Sequence, residues 1–73
     1  MGLEEFRGFL QVVDEGSFAA AATALGVSRT TLRRQVDALE AEAGVPLLER
    51  TAKGVVLTEA GRRLVVGGRQ MEQ

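Results

Sequence analysis

Three arginines carry the most specific chemistry in this 73-residue chain. Arg29, Arg33 and Arg34 fall within residues 28 to 36, a stretch without a single acid. A guanidinium is a rigid fork of donors that matches a pair of phosphate oxygens or the O6 and N7 edge of a guanine. Ser28, Thr30 and Thr31 add hydroxyls that can bond to either. Residues 37 to 49 reverse the sign, with Asp37, Glu40, Glu42 and Glu49 and no base. Charge divided this way along one segment suits a helix that enters a DNA major groove by its amino end. The plainer alternative is a solvated helix face on which Arg33 and Asp37 form a surface pair worth about 0.3 kcal/mol.

These side chains need a scaffold. Ser28 is a helix cap, and after it Leu32, Val36, Leu39 and Ala43 recur at spacings of four, three and four, one apolar stripe. At about 100° per residue, Thr30, Arg34, Asp37 and Ala41 fall opposite that stripe. Thr31 and Arg33 take its shoulders, and Arg29 and Gln35 lie nearer its edges. A shorter helix precedes it, capped by Ser17, with Phe18, Ala21, Ala22 and Leu25 inward. Gly26 and Val27 make the corner between the two, the layout of a helix-turn-helix. At the amino end, Leu3, Phe6, Leu10 and Val13, with Phe9 on the shoulder, give a first helix an apolar face against that pair.

The segment VPLLERTAKGVVLT, residues 45 to 58, reads as a small β-hairpin: an apolar run at 45–48, a polar turn with Lys53 and Gly54, then Val55, Val56 and Leu57. Pro46 must sit outside the paired part of the first strand or at its edge. Arg50 and Lys53 are then presented away from the core, where they would meet a phosphate backbone or a minor groove. Thr58 caps a last helix, with Glu59 in its first turn and Ala60, Leu64 and Met71 on one stripe; Gly67 and Gly68 weaken it. The predicted fold is mainly α, a winged helix-turn-helix with a three-helix core, a two-stranded β wing and a C-terminal helix. Residues 1–58 form the domain, with the helix-turn-helix at about 18–37 and the wing at about 45–58, and residues 59–73 begin the last helix.

In this order of motifs the chain resembles the N-terminal DNA-binding domain of LysR-type transcriptional regulators. The resemblance rests on FLQVVDEGSFAAAATALGVSRTTLRRQVDALEAEAGVPLLERT, followed after the wing by LTEAG. It implies a bacterial regulator that binds double-stranded DNA as a homodimer, with the last helix serving as linker and dimer contact. It also implies a small-molecule effector, sensed only through a domain absent from this chain. Carried onto this sequence, Arg29, Thr30 and Arg33 become candidates for base edges; Ser17, Ser28, Thr31 and Arg34 for phosphates; and Arg50 and Lys53 for the wing contacts. The departures matter. Where the family commonly has glutamine and then proline or serine, this chain has Arg29 and Thr30, and where the family commonly has serine it has Arg33. Glutamine suits adenine and arginine suits guanine, so a guanine preference at one or two positions of each half-site is expected instead.

Composition bounds the remaining possibilities. A formal charge of −1 is unusual for a nucleic-acid module, but it divides into −3 over residues 1–27, +3 over 28–36, −4 over 37–49 and +3 over 50–63. Screening beyond about 8 Å lets a local basic surface act while acids lie elsewhere, so weak nonspecific affinity is expected of one copy. There is no cysteine and no histidine, which removes disulfides, thiolate metal sites and the usual general base. No nucleophile elbow or phosphate loop is present, so neither an enzyme nor a cofactor is expected. The first residues lack the pattern of a signal peptide and no apolar run approaches ~20 residues, so a cytoplasmic protein with no membrane contact is expected.

Phe6, Phe9 and Phe18 are the only aromatic residues, and Phe18→Ala is expected to cost ~3–5 kcal/mol. Leu64, Val65, Val66 and Met71 should be exposed and sticky unless paired, which predicts at least weak self-association. By resemblance the chain is expected to be a segment of a longer regulator; use of the module in another context is the other possibility. The alternative function is a winged-helix protein-interaction adaptor that does not bind DNA, for which Arg29, Arg33 and Arg34 would be dispensable.

Overall fold

Three hydroxyls decide where helices begin. Ser17 Oγ accepts from the Ala20 amide at 3.0 Å, Ser28 Oγ from Thr31 at 3.1 Å and Thr58 Oγ1 from Gly61 at 3.0 Å. Each bond satisfies a first-turn amide that the helix leaves unpaired, worth about 1 kcal/mol. The computed structural model describes residues 2–71, and side chains as far as residue 67. Within them the order is α1 (Leu3–Glu15), α2 (Phe18–Leu25), α3 (Arg29–Ala43), β1 (Leu48–Thr51), β2 (Gly54–Leu57) and α4 (Glu59–Met71). This is the winged helix-turn-helix expected from the sequence. The turn from α2 to α3 is closed by Gly26 N–H donating to Thr23 and Val27 N–H donating to the Ala22 carbonyl, at 3.2 and 3.0 Å.

The core forms where α1 and α3 cross over the alanine face of α2. Phe9 and Val12 meet Ala21, Ala22, Leu32, Val36 and Leu39, and Leu47 and Val65 close the far side. Phe9 is fully buried and Leu3 is 65% exposed, so the inward face of α1 is turned from the expected one. Phe9 and Val12 lead it while Phe6, Leu10 and Val13 flank it. Phe18 is only half-buried, Leu25 is exposed, and the stripe of α3 ends at Leu39 with Ala43 in solvent.

Of the apolar run at 45–48 only Leu47 plugs the core; Val45 and Pro46 are exposed and Leu48 is half-buried. Pro46 has no amide proton to give a ladder, and the Leu47 and Leu48 amides both donate to Glu40 Oε2, at 2.7 and 3.2 Å. The strand therefore starts only at Leu48, and Leu47 is left fully buried. β1 pairs antiparallel with β2, Leu48 opposite Leu57 and Thr51 opposite Gly54. The turn end of this wing is pinned to the end of α1. Val55 N–H donates to the Gly16 carbonyl at 3.0 Å, and Gly54, at φ 134°, is so close that a Cβ would lie 2.5 Å from the same oxygen. Only glycine tolerates that backbone and that approach.

α4 docks chiefly through Gly61 and Val65, while Ala60 and Leu64 of the expected stripe are half-buried against the core beside them. A Cβ at Gly61 would collide with the Leu47 carbonyl oxygen, which places this turn directly against the plug. Val65, expected to be exposed, is 9% exposed, and Leu64 is half-buried; Val66 stays in solvent. The side chain of Met71 lies outside the described residues. Among the described residues no helix is long and apolar enough to cross a membrane.

Candidate nucleic-acid interface

The amino end of α3 is held in place from two sides. Ser28 caps it, donating its own hydroxyl proton to Thr31 Oγ1 at 3.0 Å, and the Leu32, Val36 and Leu39 stripe fixes its rotation on α1. Its first turn carries Arg29 and no acid. A cation there opposes the helix macrodipole, at a cost of about 0.3–1 kcal/mol, so local helix stability does not explain the arginine. An incoming anion would relieve both charges together.

Rotation about α3 brings Arg29, Thr30, Arg33 and Arg34 to one side, all exposed. The wing supplies Arg50 from β1, and with Phe18 these residues line an open concavity of about 380 Å³. Four of its six lining residues are arginines and none is an acid. Phe18 is the part of this site that sequence reasoning placed simply as an inward packing residue. Its ring lies 5.5 Å from Arg33 Cζ and 5.2 Å from Arg50 Cζ, both within reach of a cation–π attraction. No spacing in the chain signals this, because the partners come from three separate elements.

Arg33 also bonds through Nε to Asp37 Oδ1 at 3.4 Å, with the two side chains 44% and 58% exposed. The pair suggested by spacing is thus present, long and solvated. The remaining expected contacts sit around the concavity and not in it. Ser17 is half-buried at the cap of α2, beside Phe18, and Ser28 and Thr31 are exposed at the cap of α3. Lys53 is exposed in the wing turn, where its amide donates to Thr51 Oγ1 at 3.2 Å. Thr51 in turn donates to the Gly54 carbonyl at 3.1 Å, so the turn carrying Lys53 is braced from within.

Glu40 is the second residue whose role the sequence did not reveal. Read as one acid among several on the far half of α3, it is half-buried and ties the chain entering the wing to the recognition helix. The height of Arg50 above Arg33 therefore depends on a carboxylate one turn past Val36. A smaller concavity of about 190 Å³ is lined by Phe18, Arg33 and Arg50 together with Asp37 and Glu40. Arg33 and Arg50 line both concavities, so the Asp37 and Glu40 carboxylates share the smaller one with two guanidinium groups, whereas the larger holds arginines and no acid.

Comparison with known proteins agrees with this geometry. Residues 3–62 match the family described as "Bacterial regulatory helix-turn-helix protein, lysR family". The chain is 39% identical over 71 residues to the HTH-type transcriptional regulator TfdT of Cupriavidus pinatubonensis, covering 97% of this chain and 31% of that protein. It is 41% identical over 71 residues to the HTH-type transcriptional regulator ClcR of Pseudomonas putida, covering 97% of this chain and 24% of that protein. The chain therefore spans about a quarter to a third of the length of these relatives. Among solved structures, the CbnR DNA-binding domain in complex with DNA superposes with a TM-score of 0.90 at 41% identity, over 97% of this chain and 82% of that one. The BenM DNA-binding domain in complex with benA site 1 DNA gives 0.80 at 37% identity, over 97% and 91%. By fold, motif order and matched length, this chain belongs to the LysR family of bacterial regulatory helix-turn-helix proteins.

Proposed function

We propose that this chain binds double-stranded DNA sequence-specifically, with the first two turns of α3 in the major groove and the wing beside the adjoining minor groove. The observation that carries the reading is the acid-free concavity shared by α3 and β1, which gathers Arg29, Arg33, Arg34 and Arg50 on one exposed side. Arg29, Thr30 and Arg33 take base edges. Ser17, Ser28, Thr31 and Arg34 take phosphates, and Arg50 and Lys53 act from the wing. Membership of a family of regulators, and likeness to two domains solved on DNA, support the assignment.

The reading extends to a transcriptional regulator of the bacterial cytoplasm that is not an enzyme. Residues 1–58 are the DNA-binding unit, and α4, within residues 59–73, pairs two copies so that two reading heads meet two half-sites. A small-molecule effector acts through a further domain outside this chain. Val66, exposed on α4, is the kind of side chain such pairing would cover. Sedimentation at high protein concentration tests the pairing, and a strict monomer removes it.

The DNA assignment is tested by selecting bound sites from random duplexes at stated salt, then measuring affinity by fluorescence anisotropy. Arg29→Ala or Arg33→Ala should weaken binding by ~1–3 kcal/mol and relax specificity. Lys53→Ala should weaken all duplexes evenly and lower the slope of log affinity against log salt by about 1. Unchanged binding when Arg29, Arg33 and Arg34 are all alanine would overturn the assignment.

A further inference from the structure

We propose that Phe18 is a positioning residue, holding Arg33 as an end-on reader of a guanine base and coupling it to Arg50 of the wing. The inference rests on the DNA-binding reading above and deepens it. Arg33 is approached on two sides, by the Phe18 ring at 5.5 Å and, over a long and solvated contact, by Asp37 Oδ1 on its Nε at 3.4 Å. Among the described residues its two terminal nitrogens have no hydrogen-bond partner. They form the parallel donor pair that matches the O6 and N7 acceptors of guanine in the major groove. No other base pair presents two acceptors in that arrangement.

Arg29 and Arg34 line the same concavity, but among the described residues neither has a hydrogen bond, an ion pair or a ring contact. A long side chain loses rotamer freedom when it binds, and one already restrained loses less. Arg33 is thus the guanidinium prepared for a fixed geometry, while Arg29 and Arg34 keep the freedom that suits phosphates. Arg50 approaches the same ring at 5.2 Å from β1. Because the Gly16 carbonyl and the Glu40 carboxylate both accept from amides of the wing segment, the ring has a defined neighbour on that side. Moving or deleting Arg50 should therefore change how well Arg33 discriminates bases, although Arg50 touches a different part of the duplex.

The test uses a pool of random duplexes, selected with the wild-type chain and sequenced. Anisotropy then compares the selected duplex with one in which the enriched G·C pair is replaced by A·T. Wild type should prefer the guanine duplex by about 5- to 150-fold, the range of a good bidentate contact. Arg33→Ala should abolish the preference. Phe18→Leu should reduce it about 2- to 5-fold, as expected for loss of an exposed cation–π contact, and Phe18→Tyr should restore it.

Circular dichroism establishes that each variant is folded. Should Phe18→Leu not fold, Arg50→Gln, an exposed strand position, decides the matter, since it should lower the same ratio by about 2-fold or more. A wild-type preference without guanine, or a guanine preference unchanged in Arg33→Ala, or one unchanged in both Phe18→Leu and Arg50→Gln, overturns the inference while leaving DNA binding intact. Failure of the wild-type chain to enrich any duplex overturns both readings together.

Discussion

Glu40 offers the sharpest check on how recognition helix and wing are joined. Its Oε2 accepts from the Leu47 amide at 2.7 Å and from the Leu48 amide at 3.2 Å, and Leu47 is 2% exposed. Hydrogen bonds to a charged acceptor contribute about 1.5–3 kcal/mol each, and a donor left buried without a partner costs about 1–3 kcal/mol. The Leu47 bond is the short, sheltered one, and the longer Leu48 bond adds less. Glu40→Ala should therefore cost about 2–4 kcal/mol. A chain of this size has only about 4–11 kcal/mol to lose. The melting temperature should fall by on the order of 10–25 °C. Glu40→Gln keeps a neutral acceptor in the same place and should lose roughly half as much. Urea unfolding followed by far-ultraviolet circular dichroism measures both, with the m-value unchanged if the folded state keeps its surface. A Glu40→Ala chain within about 0.5 kcal/mol of wild type, or a Glu40→Gln chain no better than Glu40→Ala, would refute the bridging role.

Three further substitutions examine the scaffold. Phe9→Ala removes the largest fully buried side chain and should cost ~3–5 kcal/mol, leaving most of the chain unfolded at 37 °C by circular dichroism, whereas the half-buried Phe18 should cost less on the same change. Gly54→Ala places a Cβ against the Gly16 carbonyl in a backbone region that suits glycine, so it should destabilise by at least about 1–3 kcal/mol in a urea melt and weaken duplex binding by displacing the wing. Thr58→Val loses two bonds at once, the cap to Gly61 and the donation to the Pro46 carbonyl at 2.8 Å, and should lower stability by about 1–2 kcal/mol in thermal denaturation.

Local information in the chain was enough to place the elements in order, although the first strand lies at Leu48–Thr51 and not on the apolar run 45–48. Cap residues, helical periodicity and a polar turn between two apolar runs placed the three core helices, the hairpin and the start of the last helix, because each depends on neighbours a few residues apart. The arginines of α3 were legible for the same reason: a helix with a known cap and a known apolar stripe puts its remaining positions on a known face. Less legible was the exact rotation of α1 and α4. Phe9 and Val65 became core residues because of what packs against them, and two overlapping apolar stripes on one short helix cannot be ranked without the partner surface.

By itself, then, the order of residues determined a helix-turn-helix with a basic leading edge, a wing carrying two bases, and the family to which such a pattern belongs. The tertiary structure alone decided that Phe18 stands between Arg33 and Arg50, that Glu40 fastens the wing to the recognition helix, and that Gly54 closes on Gly16. The physical reason is range. Caps, stripes and turns arise from interactions along one element, whereas these three contacts join side chains or backbone of different elements, and their geometry exists only once the core has fixed the distances between them.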